Sequence, residues 1–254
     1  RMRLAVKQVI VVDFPARALD PDSIAECAGI LFGRVDAVLA GDAGAARVQF
    51  SPSYRAHLIQ SAGLSVWTGL NCRDRNRVAL EGELAGLAHV GVAAVHCVTG
   101  DHTLTGSRPD AAPVFDLDST AMAALARAAG HLVSVGESPA TPPVGRRPAR
   151  LLDEAQQLGA TLHFIPCVPI VVDHESAALL RTFTTLVLPQ GYLDRILAAR
   201  DPFDEGIAAA LELGRQLLEI DGVRGLNLSG GAGPGREAWF AEALARVSDE
   251  LVTS

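Results

Sequence analysis

Residues 70–119 read LNCRDRNRVALEGELAGLAHVGVAAVHCVTGDHTLTGSRPDAAPVFDLDS, and the order of apolar and polar segments in them decides the fold. A polar elbow, Asn71-Cys72-Arg73-Asp74-Arg75-Asn76-Arg77, follows directly on an apolar run. Leu80, Leu84, Leu87 and Ala88 then recur on one face of a helix. Val92–Val98, apolar except for His96, reads as a buried strand ending in Thr99-Gly100-Asp101. A long loop then leads to Asp118 and Ser119, which open another helix. Two successive strands thus deliver charged groups at their carboxyl ends, where parallel sheets and barrels keep their ligands.

The same alternation runs outward in both directions. Val6–Val12, Val35–Ala40 and Leu64–Leu70 are apolar runs read as strands 1 to 3. Asp20-Pro21 and Ser51-Pro52 each pair a capping side chain with a proline at the first helical position. Either Asp74 or Asn76 caps helix 3, and helix 4 runs from Ser119 to Gly130. Leu132–Val135 reads as strand 5, Pro148–Leu158 as helix 5, Thr161–Cys167 as strand 6 and Glu175–Phe183 as helix 6. A short strand 7 is expected at Leu186–Leu188. Ile207, Ala210, Leu211, Gly214, Leu217 and Leu218 mark helix 7, Gly225–Leu228 strand 8, and Glu237–Leu251 the last helix.

Eight strands alternating with eight helices in 254 residues predict a single-domain α/β fold, a (β/α)8 TIM barrel over residues 1–254. Loop lengths support a barrel more than the count does. Helix-to-strand connections are minimal, at Gly91-Val92, Gly130-His131, Gly159-Ala160 and Gly222-Val223. Strand-to-helix connections at 41–50, 101–118 and 136–147 are long, as a site gathered on one face requires. An open doubly wound sheet would ordinarily announce itself with GxGxxG after strand 1, which residues 13–20 lack.

Hydrophobic residues make up 49% of the chain and mean hydropathy is +0.24, so a large core is available. The net charge of −7, with no basic track to offset it, argues against a nucleic-acid partner. No apolar run approaches the ~18 residues of a membrane span, so a cytoplasmic protein without a membrane partner is expected. A homo-oligomer is compatible with this composition. Cys27, Cys72, Cys97 and Cys167 show no metal-ligand spacing and read as reduced thiols. His96 and Cys97 are strand neighbours facing opposite sides, so they cannot share an ion, and no metal site is expected.

Among groups that could carry chemistry, Asp101 ends a buried strand and begins a long loop, where it is either a loop cap or a site carboxylate. His102 beside it is the histidine best placed to meet substrate. Asn71, Arg73, Asp74 and Arg75 form either an ion-pair network or a polar ligand surface at the end of strand 3. Ser229-Gly230-Gly231-Ala232-Gly233-Pro234-Gly235, between strand 8 and the last helix, is placed like a phosphate cup. Its ligand would be a flavin, a nicotinamide dinucleotide or a carboxylate tail, and the plain alternative is a surface turn.

Cys72–Arg77, Thr99-Gly100-Asp101 and Pro113-Val114-Phe115-Asp116-Leu117-Asp118-Ser119 together resemble the methylenetetrahydrofolate reductase family, in particular its CRDRNR-type bacterial members. Weaker likeness extends from Asp13-Phe14-Pro15 to about Leu228. The resemblance implies hydride transfer from NAD(P)H through FAD to 5,10-methylenetetrahydrofolate. It implies flavin contacts from Thr99, Gly100, Asp101, His102, Phe115, Asp118 and Glu137, with Asp101 near the flavin ring. Asn71, Arg73, Asp74 and Arg75 would bind folate. The family's general acid, a Glu, falls on Val12 without a gap and on Asp13 with a one-residue slip, so Asp13 and Asp101 are the expected catalytic carboxylates.

The chain also departs from the family. Counting from Glu137, its usual flavin-binding His, Asp and Lys fall at Pro139, Pro148 and Ala155, and its substrate-contacting Gln is Pro166 or deleted. FAD is therefore expected to be weak or absent. The alternatives are a flavin-free paralogue that reduces a folate or another imine directly with a nicotinamide, and a non-catalytic folate-binding barrel.

Overall fold

Val9–Asp13 (β1), Ala37–Ala40 (β2), Val66–Asn71 (β3), Ala94–Val98 (β4), Val133–Val135 (β5), Cys167–Pro169 (β6) and Gly225–Ser229 (β7) are the strands of the computed structural model. Its helices are Pro21–Leu31 (α1), Pro52–Ser61 (α2), Arg77–Val90 (α3), Ser119–Ala128 (α4), His174–Leu180 (α5), Tyr192–Leu197 (α6), Pro202–Leu218 (α7) and Glu237–Val252 (α8). The structure describes residues 8–42, 46–136, 157, 162–181 and 188–252. The described residues fall into two compact units, one drawn from 16–32 and 37–136, the other from 8–15, 33–36 and 157–252.

In the first unit β2, β3, β4 and β5 run parallel in that order, with Val38 opposite Val66, Trp67 opposite Ala94 and Val95 opposite Val133. The parallel ladder forces each chain return through a helix, and the expected caps start them. Asp20 accepts from the Asp22 and Ser23 amides, Ser51 from Tyr54, and Asp118 from Ala121. Asn76, not Asp74, caps α3 by accepting from Ala79. Leu80, Leu84 and Leu87 are the buried face of α3, and Gly91 ends it with the left-handed backbone (φ 80°) that only glycine adopts freely. On β4, Val95 and Cys97 are fully buried while His96 and Val98 keep partial exposure, whereas β3 is buried on both faces.

In the second unit β1, β7 and β6 are parallel in that order, with Val9 opposite Gly225 and Cys167 opposite Asn227. Val9–Val12 is buried on both faces, as a strand covered on either side must be. Val171, Ala177, Leu180, Tyr192, Ile196 and Ala209 form a core, and the Tyr192 hydroxyl donates to the Pro169 carbonyl (2.9 Å). α7 approaches so closely that a Cβ on Gly206 would lie 1.8 Å from the Val171 oxygen.

Several boundaries differ from the sequence reading. Expected strand 6 begins later, at Cys167, and Phe164 makes only an isolated bridge to Val223. Asp173 and Ser176 form a reciprocal capping box that starts α5 at His174 and leaves Pro166–Pro169 to the sheet. α6 is absent from the sequence reading; at six residues, with Tyr192 and Ile196 buried one turn apart, it is too short to show a sustained helical period. Expected helix 5 lies outside the described residues apart from Gln157. Of expected strand 7 only Leu188 is described, and it packs on the core outside any strand. Seven strands, rather than eight, are present among the described residues. No helix there is long and apolar enough to cross a membrane.

Candidate functional site

Each unit gathers polar side chains at the carboxyl ends of its strands. In the second unit β1 ends in Asp13, and the register of β7 brings Asn227 and Ser229 to the same face. Asn227 Nδ2 donates to Asp13 Oδ1 (2.9 Å), while the Ser229 hydroxyl (2.6 Å) and the Gly230 amide (3.2 Å) donate to Oδ2. Burial pushes the Asp13 carboxyl above its ordinary range, and the three hydrogen bonds only partly oppose it. All three donors are neutral, so no cation holds the carboxylate charged. Such a group is poised to hold and release a proton. Cys167, exposed on β6, lies 3.7 Å from Asn227 Nδ2. The protein around its sulfur and the nearby Asp13 push the thiol up to about 11, which disfavours a thiolate.

The glycine loop after β7 is built around this acid. Gly230 has φ 147°, and a Cβ there would come within 3.1 Å of Ile170 and Phe240, so only glycine turns the chain to aim its amide at Asp13. Gly231 lies against Leu179 and Gly233 against the Glu175 carboxylate. The Gly235 amide donates to Glu237 (3.1 Å), and Arg236 pairs with Asp173 (3.1 Å). Two amides expected to cradle a phosphate are thus given to the chain's own carboxylates.

In the first unit the centre is Asp42, just past β2. It accepts from the Asn71 amide (3.2 Å), Asn71 Nδ2, Gln49 Nε2 and Arg75 (2.7 Å). Arg73 grips Asp74 through two bonds of 2.7 and 2.6 Å. Burial works against the Arg73 cation, but the Asp74 bonds outweigh it and its proton affinity is raised, with Asp42 and Asp101 contributing. Burial likewise opposes the Asp74 carboxylate, and Arg73 nevertheless holds it below the usual range. Arg55, on α2, is buried and donates to the Gly41 carbonyl (2.8 Å); burial pushes it down to about 10, against the pull of Asp42.

The four residues expected to bind folate are therefore brought together, but largely onto one another and onto Asp42. Asp42, Gln49, Arg55 and Asn227 escaped the sequence reading. Gly41-Asp42 after a strand repeats the Gly100-Asp101 signal, and Asn227 interrupts the apolar Leu226–Leu228, so both left a trace; buried Arg55 left none.

The residues expected around a flavin separate into two groups. Thr99 Oγ1 accepts from the Ser119 amide (3.0 Å) and Asp118 from Ala121 (2.7 Å), so both serve the start of α4. Gly100 turns (φ 91°) beside the Asn71 and Arg73 side chains. Val114 and Phe115 donate backbone amides to Arg73 (2.7 Å) and Cys72 (3.1 Å), zipping the loop to the elbow. Asp101 and His102 are exposed, and the His102 ring lies 6.1 Å from that of Phe115. Arg47 clamps the loop through His102 O (3.1 Å) and Thr105. Glu137, Pro139, Pro148 and Ala155 lie outside the described residues. Among the described members of the set, two acceptors are committed to capping and no cation is present, so they do not fit a flavin diphosphate.

No protein-family model and no curated protein matches the sequence. Among solved structures, the chain is similar to a D110A mutant of the tryptophan synthase alpha-subunit from Pyrococcus furiosus, at 16% identity and TM-score 0.50, over 98% of this chain and 99% of that one. It is also similar to tryptophan synthase from M. tuberculosis (12%, TM-score 0.48, 98% and 99% covered). N-acetylneuraminate lyase from Fusobacterium nucleatum is a further neighbour (11%, TM-score 0.43, 97% and 77% covered). At these identities the likeness concerns the fold alone, and the fold is an α/β barrel of the TIM type.

Proposed function

We propose that the chain is an enzyme of the methylenetetrahydrofolate reductase kind, reducing a methylene-bridged folate with hydride from a nicotinamide dinucleotide. The observation that carries this reading is the Asp13 carboxyl, held by three neutral donors and raised in proton affinity by burial. An acid of that kind protonates N10 of the substrate, the C–N10 bond breaks, and a carbon–nitrogen iminium forms at N5. Hydride addition to that carbon gives the 5-methyl product, and Asp13, left as carboxylate, is reprotonated from solvent. Ser229, Asn227 and the Gly230 amide stabilise the carboxylate formed. Thr99 and Asp118 are committed to capping α4 rather than to a flavin diphosphate, which favours the flavin-free form of the reaction.

Conversion of 5,10-methylenetetrahydrofolate with NADH or NADPH is the direct test. Asp13→Asn should lower turnover by roughly 10²–10⁴-fold while the folate still binds. Wild-type protein that binds tetrahydrofolate yet turns nothing over with either reductant would make it a binding barrel. Protein that does neither would end the folate reading.

A further inference from the structure

His96 belongs to neither polar cluster, and its surroundings single it out. On β4 it stands opposite Gly69 of β3 and Ser134 of β5, so these residues form one row across three parallel strands. The next position toward the strand ends on the same face pairs Asn71 with Val98. His96 therefore lies one layer, about 6.6 Å along the strand, beneath the Asn71 cluster. On β4 this face keeps partial exposure at His96 and Val98, whereas Val95 and Cys97 are fully buried and the neighbouring β3 is buried throughout.

One ring nitrogen is fixed and the other is available. Nδ1 lies 3.0 Å from the Ser134 hydroxyl, which sets the ring orientation. Among the described residues nothing hydrogen-bonds Nε2, and it is not among the polar atoms sealed from solvent. On the β3 side the space is filled: a Cβ on Gly69 would strike Gly41 Cα and Asp42 N at 2.8 Å. A Cβ on Gly136 would sit 3.6 Å from Nε2 itself. Burial alone lowers the imidazole's proton affinity, with no carboxylate or cation contributing. A neutral imidazole beside Gly136 and Val98 suits an uncharged, flat partner and offers no counter-charge to an ionic one.

We propose that His96 is a ligand-contacting residue, whose Nε2, oriented through Nδ1 by Ser134, hydrogen-bonds the edge of an uncharged heterocycle lying on the exposed side of β4 toward Ser134 and Gly136. The inference extends the folate reading, since a reduced pterin and a dihydronicotinamide are both such rings, but it requires only that one of them binds there. Affinities of 6-methyltetrahydropterin and reduced nicotinamide mononucleotide are measured by calorimetry on the full chain. At least one should bind, and His96→Leu should weaken it by about ten-fold, the loss expected for a hydrogen bond whose partner is left unpaired. His96→Gln should recover part of the affinity. Gly136→Ala, which leaves the imidazole untouched but covers Nε2, should weaken the same ring and guards against misfolding of the histidine variants. Equal affinity in wild type, His96→Leu and Gly136→Ala, or binding of neither ring to wild type, overturns the proposal. Nicotinamide binding that depends on His96, with no pterin binding or folate turnover, would uphold His96 and remove the folate reading.

Discussion

Asp13 and Asp42 are both strand-end carboxylates surrounded by donors, and the charge of the donors separates them. Asp13 meets an amide nitrogen, a hydroxyl and a backbone N–H, all neutral. Asp42 meets Asn71, Gln49 and the Arg75 guanidinium, and belongs to a network in which Arg73 also holds Asp74. Neutral donors position a carboxyl without fixing its charge, so burial decides its proton affinity; a guanidinium ties the carboxylate into an ion pair. In the proposed reading the first cluster serves proton transfer, while the second holds the β2, β3 and elbow backbone in place.

The largest effect that tests this contrast is on stability. Asp42→Asn strands Arg75 and weakens the bonds that place Asn71. It should lower unfolding free energy by about 3 kcal/mol, the lower end for a broken buried pair because Arg75 keeps some solvent. Denaturant unfolding at neutral pH measures it. Asp13→Asn, which nearly preserves shape, should shift the midpoint far less. Equal losses in the two variants would erase the distinction between anchor and acid.

A smaller effect separates the clusters by pH. Asp13 binds its proton more tightly folded than unfolded, so its contribution is most favourable below the unfolded value near 3.8 and declines as pH rises through the raised folded value. Asp74 has the opposite sign: its contribution is present above that unfolded value and is lost as pH falls through the lowered folded one. Replacing Asp13 with Asn should therefore become progressively less destabilising relative to wild type as pH rises above the unfolded value near 3.8. Asp74→Asn should become progressively less destabilising as pH falls below 4. Melting temperatures across pH 3–7 read both slopes, and parallel curves for Asp13→Asn and wild type would mean its carboxyl is not raised.

Much of this was legible before any coordinates. The caps Asp20, Ser51 and Asp118 and the α3 face of Leu80, Leu84 and Leu87 follow from local chemistry, which a sequence states directly. Asp13 at a strand end was also readable. What failed depends on register. Only the offset of β7 against β1 puts Asn227 and Ser229 on Asp13, and only the closeness of β2 to β3 turns Arg75 toward Asp42. Thr99 and Asp118 looked like ligand groups because a capping acceptor and a binding acceptor are the same residue type. In the sequence His96 reads only as a strand neighbour of Cys97 unable to share an ion with it, since the row with Gly69 and Ser134 exists only across strands.

The smallest expected effect probes the Asp13 donors themselves. Ser229→Ala removes the shortest of the three bonds, 2.6 Å to Oδ2, and leaves Asn227 and Gly230 in place. A hydrogen bond to a neutral acid contributes roughly 0.5–1.5 kcal/mol and one to a carboxylate about 1.5–3 kcal/mol, so the cost of the substitution reports the charge that Ser229 faces. Unfolding free energies of Ser229→Ala and wild type should differ by about 1 kcal/mol where Asp13 holds its proton, with a larger gap as rising pH ionises it. Loss of a bond that favours the carboxylate should also raise the Asp13 proton affinity further, moving the basic limb of any pH–rate profile upward. An Asp42→Asn background should leave both changes intact, because its donors belong to the other cluster. A gap that is large and constant with pH would show Asp13 ionised throughout, and would place it with Asp42 among the anchors.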